Sequence, residues 1–309
     1  MDQHNHAPYD AIIIGAGPAG LTCAIFLGRY RRRVLVLDDG KPRNYASKGI
    51  HGYLGYHSIL PSELLARGRA EAAAAGVEFC EARATKIEQV GDIFEVTTGK
   101  DEVLRARRIV LAYGVRDTLP DIPNIEQFYG TSVHHCPDCD GYESREKRIG
   151  VIAWGKNAVG LALKLLQWSD DIVVFTHGHD REWDDELNSK LLAEQITVKT
   201  EKIASLEGSE GCVEAAVLST GERVPVRAIF FSIHVERTCD LAESLGCECA
   251  TEPGEPDIVV DEHRHTTIEG VWAVGDLVAG SKLAITAAAD GAIAAISINK
   301  SLLPPSRRV

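Results

Sequence analysis

Short apolar runs, broken by glycine turns and separated by longer amphipathic stretches, set the pattern of this chain. Ala11–Ile14 is a brief β-branched run closed by Gly15 and reads as a buried strand. Gly15–Gly20 reads as a tight turn, Leu21–Tyr30 as a helix and Val34–Leu37 as a second buried strand. Lys41–Leu60 carries Gly, Pro, Asn and Tyr without periodicity, which predicts an excursion over the surface. Pro61 opens a helix through about Ala75, and Gly76 stops it. Lys86–Val90, Ile93–Thr97 and Val103–Ala106 predict a small antiparallel meander, and Ile109–Ala112 another buried strand ahead of Gly114.

The pattern then begins again. Ile149–Ala153 reads as a strand, Trp154–Gly160 as a turn running into a helix, Leu161–Trp168 as its continuation, and Ile172–Phe175 as the next parallel strand. A helix near Asp184–Glu194 and short strands up to Phe231 follow. Gly270–Val274 predicts a further strand, followed by Gly275-Asp276 and an Ala-rich helix from about Leu283 to Ser301, ended by Pro304 and Pro305. Two βαβ units in one chain imply an α/β protein with two Rossmann-like nucleotide-binding domains.

Composition narrows the function classes. With 309 residues the chain is long for one hydrophobic core and comfortable for two domains. A formal net charge of −12 argues against nucleic acid or an anionic membrane as a partner, because both need basic patches. The one basic cluster, Arg29 with Arg31, Arg32 and Arg33, falls at the end of the first helix, where cations complement the helix dipole. Met1–Asp10 is polar and acidic, so no signal peptide is expected, and Ala11–Ile14 is too short to span a bilayer. Eight cysteines in a chain of this size do not resemble a secreted disulfide framework, and a reducing cytoplasm is the expected compartment.

Gly15-Ala16-Gly17-Pro18-Ala19-Gly20 matches G-x-G-x-x-G after a strand and before a helix. Gly15 permits the turn, Gly17 lets backbone approach a pyrophosphate, and Gly20 allows close helix–strand packing. Pro18 and Ala19 open the helix, whose N-terminus offers N–H groups and a positive dipole end to phosphates. The second strand ends in Asp38, suitably placed to accept from a ribose. This pattern alone does not choose between NAD and FAD.

His134-His135-Cys136-Pro137-Asp138-Cys139-Asp140-Gly141 holds the second candidate chemistry. Two cysteines separated by two residues can close a small disulfide and lower a thiol pKa. A neighbouring acid or imidazole can move the proton during exchange. The alternative, half of a zinc site, needs another ligand pair, and Cys247/Cys249 has poor spacing for it. Cys23 falls inside the first helix. Cys80, Cys212 and Cys239 are isolated and read as small, partly buried hydrophobes.

The order G-A-G-P-A-G, C-x-x-C-D-G, a second βαβ unit and a late Gly-Asp resembles the low-molecular-weight thioredoxin reductase family over nearly the whole chain. Val271–Asp276 resembles the second FAD fingerprint of two-dinucleotide-domain flavoproteins, and Leu111–Gly114 resembles their A-T-G segment with Tyr113 in place of threonine. The resemblance implies FAD held by Gly15, Gly17, Pro18, Ala19, Gly20, Asp38, Gly114, Gly275 and Asp276, with Ala284 and Ile285 at the opening of the last helix. It makes Cys139 the flavin-proximal thiol, Cys136 the interchange thiol and Asp140 the acid–base partner. It also implies a homodimer, with a FAD domain of residues 1–116 and 245–309 split by a cysteine-bearing domain of residues 117–244.

Two departures bear on the electron donor. Where the family has G-G-G-D-[ST]-A, this chain reads Ala153-Trp154-Gly155-Lys156-Asn157-Ala158. Where the family has an arginine-rich segment for NADPH, it reads Thr176-His177-Gly178-His179-Asp180, with no arginine until Arg181. NADPH is therefore expected to be a poor donor, with a ferredoxin-type protein or a second flavin as substitutes. The expected reaction is two-electron exchange between FAD and Cys136/Cys139, then with a thioredoxin-like protein or a small disulfide or dithiol. The alternatives are a dithiol oxidase using oxygen, an ordinary NADPH-dependent thioredoxin reductase, and a flavin-based redox sensor. His134 and His135 keep the oxidase open, because an imidazole beside Cys136 could activate a dithiol.

Overall fold

The fold is given by a computed structural model that describes residues 7–232, 234–250 and 257–307. The polar start at Met1–His6 lies outside the described residues. In chain order the first elements are β1 (Ala11–Ile14), α1 (Pro18–Arg29), β2 (Val34–Asp38), α2 (Pro61–Ala74) and β3 (Glu78–Glu81). The meander follows as β4 (Ala84–Val90), β5 (Ile93–Thr98) and β6 (Val103–Ala106), then β7 (Ile109–Leu111) and β8 (Val115–Thr118). Next come α3 (Ile125–Phe128), β9 (Val133–His134), α4 (Pro137–Asp140), β10 (Ile149–Ile152), α5 (Gly155–Leu165) and β11 (Ile172–Phe175). The chain continues through α6 (Asp185–Ala193), β12 (Thr197–Lys199), β13 (Ile203–Ser209), β14 (Cys212–Leu218), β15 (Arg223–Pro225) and β16 (Ala228–Phe231). It ends with β17 (His234–Arg237), α7 (Leu241–Ser244), β18 (Val271–Ala273) and α8 (Ala284–Ser301).

These elements form two compact units. The first comprises Met1–Tyr45, Gly52–Asp117 and Val235–Val309; the second comprises Ala46–His51 and Thr118–His234. The return to the first unit precedes α7 because Leu241 and Ala242 are buried in that unit's core with Ile87 of β4 and Phe94 of β5.

The first unit is built on a parallel sheet in the order β18-β7-β1-β2-β3. Its central strands β1 and β7 are apolar and buried throughout because both faces are covered, whereas the edge strand β3 carries Glu78 and Glu81. Ile13, Val36 and Val110 pack beneath α1 and α8, whereas Ile12, Ile14 and Leu37 pack against the meander through Phe94 and Val96. Small residues let α1 and α8 approach closely. A Cβ at Gly291 would lie 2.1 Å from the Ala19 carbonyl oxygen. Asp261 to His265 Nδ1 (3.0 Å), His265 Nε2 to Ser297 (3.1 Å) and Trp272 Nε1 to Ser297 (3.2 Å) tie the segment before β18 to α8.

The second unit repeats the plan with a sheet ordered β12-β11-β10-β16-β9, parallel at each pairing. Val151, Val174 and Phe230 pack with α5 and α6; Ile152, Phe175 and Phe231 pack with the antiparallel β13-β14-β15 sheet. The two Rossmann-like units expected from the repeat are thus present. Two expectations need correction. The turn assigned to Trp154–Gly160 is already helix from Gly155, because Trp154 caps α5 in extended conformation. Cys212 is exposed, since it opens β14 at a tight turn beside Gly211 (φ +78°).

Candidate functional site

Three backbone turns of the first unit converge on the start of α1. Gly15 has φ +107°, and a Cβ there would meet the Ala112 carbonyl oxygen at 2.3 Å. A Cβ at Gly20 would meet the Gly15 oxygen at 2.0 Å, and one at Gly275 the Ala19 Cβ at 2.9 Å. Gly17 differs: a Cβ there meets nothing within 4 Å. Gly17 is also the N-cap of α1, and no side chain caps that helix. Bare backbone facing open space at a helix N-terminus suits a pyrophosphate. The Asp38 carboxylate accepts the Ala16 N–H at 3.0 Å and pairs with Arg69. Gly114 has φ +66°, with open space around it, and Ala284 and Ile285 form the first turn of α8.

Two side chains that support these turns were not foreseen from sequence. Arg43, from the surface excursion, donates to Asp276 at 2.7 Å and to both oxygens of Asp117 at 2.6–3.1 Å. The paired carboxylates strengthen the guanidinium's hold on its proton against the opposing effect of burial. Asp290, buried on α8, accepts the Gly275 N–H at 3.2 Å and pairs with Arg264 at 2.7 Å. Neither arginine lies in a recognisable motif, and Asp290 sits in an alanine-rich helix where one acid was the only available signal.

In the second unit, Cys136 and Cys139 are joined with S–S 2.12 Å and Cα–Cα 5.3 Å. Cys136 is the N-cap of α4, and its carbonyl accepts the N–H groups of Cys139 (3.2 Å) and Asp140 (3.1 Å). Gly141 closes this turn because there is no room for a side chain. A Cβ there would lie 2.6 Å from the Pro137 oxygen and 2.7 Å from the Trp168 ring. Burial pushes the Asp140 carboxyl up to about 6, helped by Glu143 and opposed by His51. His134 Nδ1 stands 3.5 Å from Asp140 Oδ2, with the imidazole packed 5.4 Å from the Phe230 ring. Burial pushes His134 down to about 4; His135 and Lys147 add to this, and a hydrogen bond to the Thr131 backbone opposes it.

His135 turns elsewhere. Its Nδ1 lies 3.3 Å from the Tyr129 hydroxyl, and it lines a groove of about 390 Å³ with Lys156, Asn157, Leu161, Phe231 and Ser232. At the second nucleotide turn, Trp154 stacks on His179 at 3.9 Å and 16°. The Gly155 N–H donates to the Arg181 carbonyl at 3.1 Å, and a Cβ on Gly155 would lie 3.8 Å from a Glu182 carboxylate oxygen. No group of three or more His, Cys, Asp or Glu among the described residues is arranged to hold a metal ion.

Residues 9–291 match the pyridine nucleotide-disulphide oxidoreductase family. The thioredoxin reductase of Treponema pallidum is 30% identical over 303 residues, covering 93% of this chain and 95% of that one. Among solved structures, HlmI is 35% identical with a TM-score of 0.91, covering 97% of this chain and 95% of that one. An oxidoreductase from Agrobacterium tumefaciens is 33% identical with a TM-score of 0.89, covering 97% of this chain and all of that one (100%). The fold agrees with these likenesses: the chain belongs to the pyridine nucleotide-disulphide oxidoreductase family and is a thioredoxin reductase-like, flavin-dependent disulfide oxidoreductase.

Proposed function

We propose that the enzyme exchanges two electrons between FAD and the Cys136/Cys139 pair, and then with an external disulfide or dithiol. The observation that carries this reading is the closed Cys136–Cys139 disulfide beside the half-buried Asp140. FAD would be held by Gly15, Gly17, Pro18, Ala19, Gly20, Asp38, Gly114, Gly275 and Asp276, with Ala284 and Ile285. The open backbone at Gly17 and the uncapped α1 fit a dinucleotide phosphate. Bound FAD supplies the two-electron centre.

The protein's own groups handle sulfur and protons. Cys136, at the head of α4, is the interchange thiol, and Cys139 the flavin-proximal one. Asp140 carries a proton to or from the sulfur chemistry, and a carboxyl titrating near 6 can do so in either direction around neutral pH. The thioredoxin reductases among its relatives favour a thioredoxin-like protein as substrate, and the reading takes the enzyme as a cytoplasmic homodimer. The groove beside His135 favours a second reading, in which a small dithiol is oxidised there and oxygen is the final acceptor.

NADPH is a poor donor on this reading. Its phosphates meet a Trp154/His179 stack, a Gly155 N–H already donated to Arg181 and the Glu182 carboxylate, without an arginine fork at residues 176–180. A ferredoxin-type protein, a dithiol or a second flavin then supplies or takes the electrons. The test is turnover of dithiobis(nitrobenzoate) by dithionite-reduced enzyme. Wild type should release nitrothiobenzoate, and Cys136→Ser should keep its flavin yet release none by exchange; unchanged release by Cys136→Ser would overturn the reading.

A further inference from the structure

We propose that His134 is a positioning residue for the exchange reaction: a neutral imidazole that orients the Asp140 carboxyl and accepts the hydrogen bond of its protonated form. This rests on the reading of Asp140 as the proton carrier. The geometry is local to the second unit. His134 ends β9 and Asp140 ends α4, so the end of the strand and the turn that carries the disulfide meet at one contact, Nδ1 to Oδ2 at 3.5 Å. Both side chains are largely enclosed, at 9% and 21% exposure. The imidazole is held from behind by Phe230 at 5.4 Å, which leaves it little freedom to turn away.

Charge decides the form of the pair. An ion pair between them would bury two charges at a separation of 3.5 Å, which is costly without further hydrogen bonds. Burial instead drives both groups toward neutrality, with the carboxyl up at about 6 and the imidazole down at about 4. The titratable and charged groups around them are His51 and Glu143 on the Asp140 side, themselves 3.5 Å apart, and His135 and Lys147 on the His134 side. Near neutral pH the imidazole is uncharged, and it offers an acceptor at a fixed place to the Asp140 carboxyl whenever that group holds a proton, which it does increasingly as pH falls toward about 6.

Reduction of a substrate disulfide oxidises the Cys136 and Cys139 sulfurs to their own disulfide and breaks the substrate S–S bond. The two thiol protons pass to the two sulfurs that leave. Asp140 relays one of these protons, and His134 keeps the relaying carboxyl in one orientation through both halves of the exchange.

The experiment is single-turnover reduction of dithiobis(nitrobenzoate) by dithionite-reduced enzyme, followed across pH in wild type, His134→Ala, His134→Gln, Asp140→Asn and His134→Ala/Asp140→Asn. Flavin content and circular dichroism serve as checks on folding. His134→Ala should slow exchange by about tenfold, the worth of one hydrogen bond, and move the acidic inflection to lower pH. His134→Gln, which retains an acceptor, should recover most of the rate. The double variant should be no slower than Asp140→Asn alone. An unchanged profile in His134→Ala, or a further tenfold loss in the double variant, overturns the proposal. Failure of Asp140→Asn itself to slow exchange instead overturns the role given to Asp140. If His134→Ala does not fold, the His134→Gln profile decides: an inflection lost despite the retained acceptor counts against the proposal.

Discussion

Arg43 donates to the carboxylate of Asp276 at 2.7 Å, across 233 residues of sequence. The same guanidinium grips Asp117, whose side chain is only 4% exposed. A residue from a surface excursion therefore fixes the turn proposed to hold the ribityl end of the flavin. Removing it takes the guanidinium away from two carboxylates, one of them deeply buried. Arg43→Ala should cost about 3–5 kcal/mol of stability and lower flavin occupancy. Chemical denaturation and flavin absorbance of the purified variant check both effects.

Gly17 separates cofactor binding from folding. A side chain at Gly15 or Gly20 collides with backbone, but one at Gly17 enters open space in an ordinary helical-entry conformation, φ −71°. Gly17→Val should fold with an unchanged far-ultraviolet spectrum and carry little FAD. Full flavin occupancy in this variant would place the cofactor elsewhere.

Asp140 makes stability depend on pH. Its folded value is raised from 3.8 to about 6, so the folded state keeps a proton that the unfolded chain has lost. Its contribution is neutral below the unfolded value and becomes unfavourable as pH rises through the window from about 4 to about 6. Above that window the cost is on the order of 2–3 kcal/mol. Asp140→Asn should therefore melt higher than wild type at pH values above the window and lose this advantage below it, while exchanging thiols more slowly. Melting curves on both sides of the window check the sign.

Much of this was legible in sequence for a physical reason. β1, the glycine turn, α1 and β2 are specified by neighbours in the chain, and both strands are apolar up to Asp38 because two layers cover them. Cys136 and Cys139 announce themselves by spacing. Arg43 and Asp290 act through partners brought up by folding, and nothing local marks them; His134 was visible beside Cys136, but its approach to Asp140 was not. Cys212 was misplaced because an isolated cysteine is usually inside, whereas here it borders a hairpin turn. Trp154 was visible as a departure from the family's glycine turn; its partner His179 follows β11 and could not be read from periodicity.

At the second turn, anaerobic mixing with excess NADPH should bleach the flavin slowly or not at all. Loss of two charged contacts, each about 1.5–3 kcal/mol, weakens binding by roughly two to four powers of ten. Stopped-flow absorbance measures it, and bleaching at a turnover-competent rate would return the chain to the NADPH-dependent members of its family.

The central claim is that the disulfide and the flavin share electrons. Anaerobic dithionite titration of wild type against Cys136→Ser/Cys139→Ser tests it most directly. Wild type should take up one further two-electron equivalent per chain beyond the flavin, and Cys136→Ser alone should show a long-wavelength thiolate-to-flavin band from Cys139. Equal uptake by wild type and the double variant, with no band in Cys136→Ser, would contradict the account.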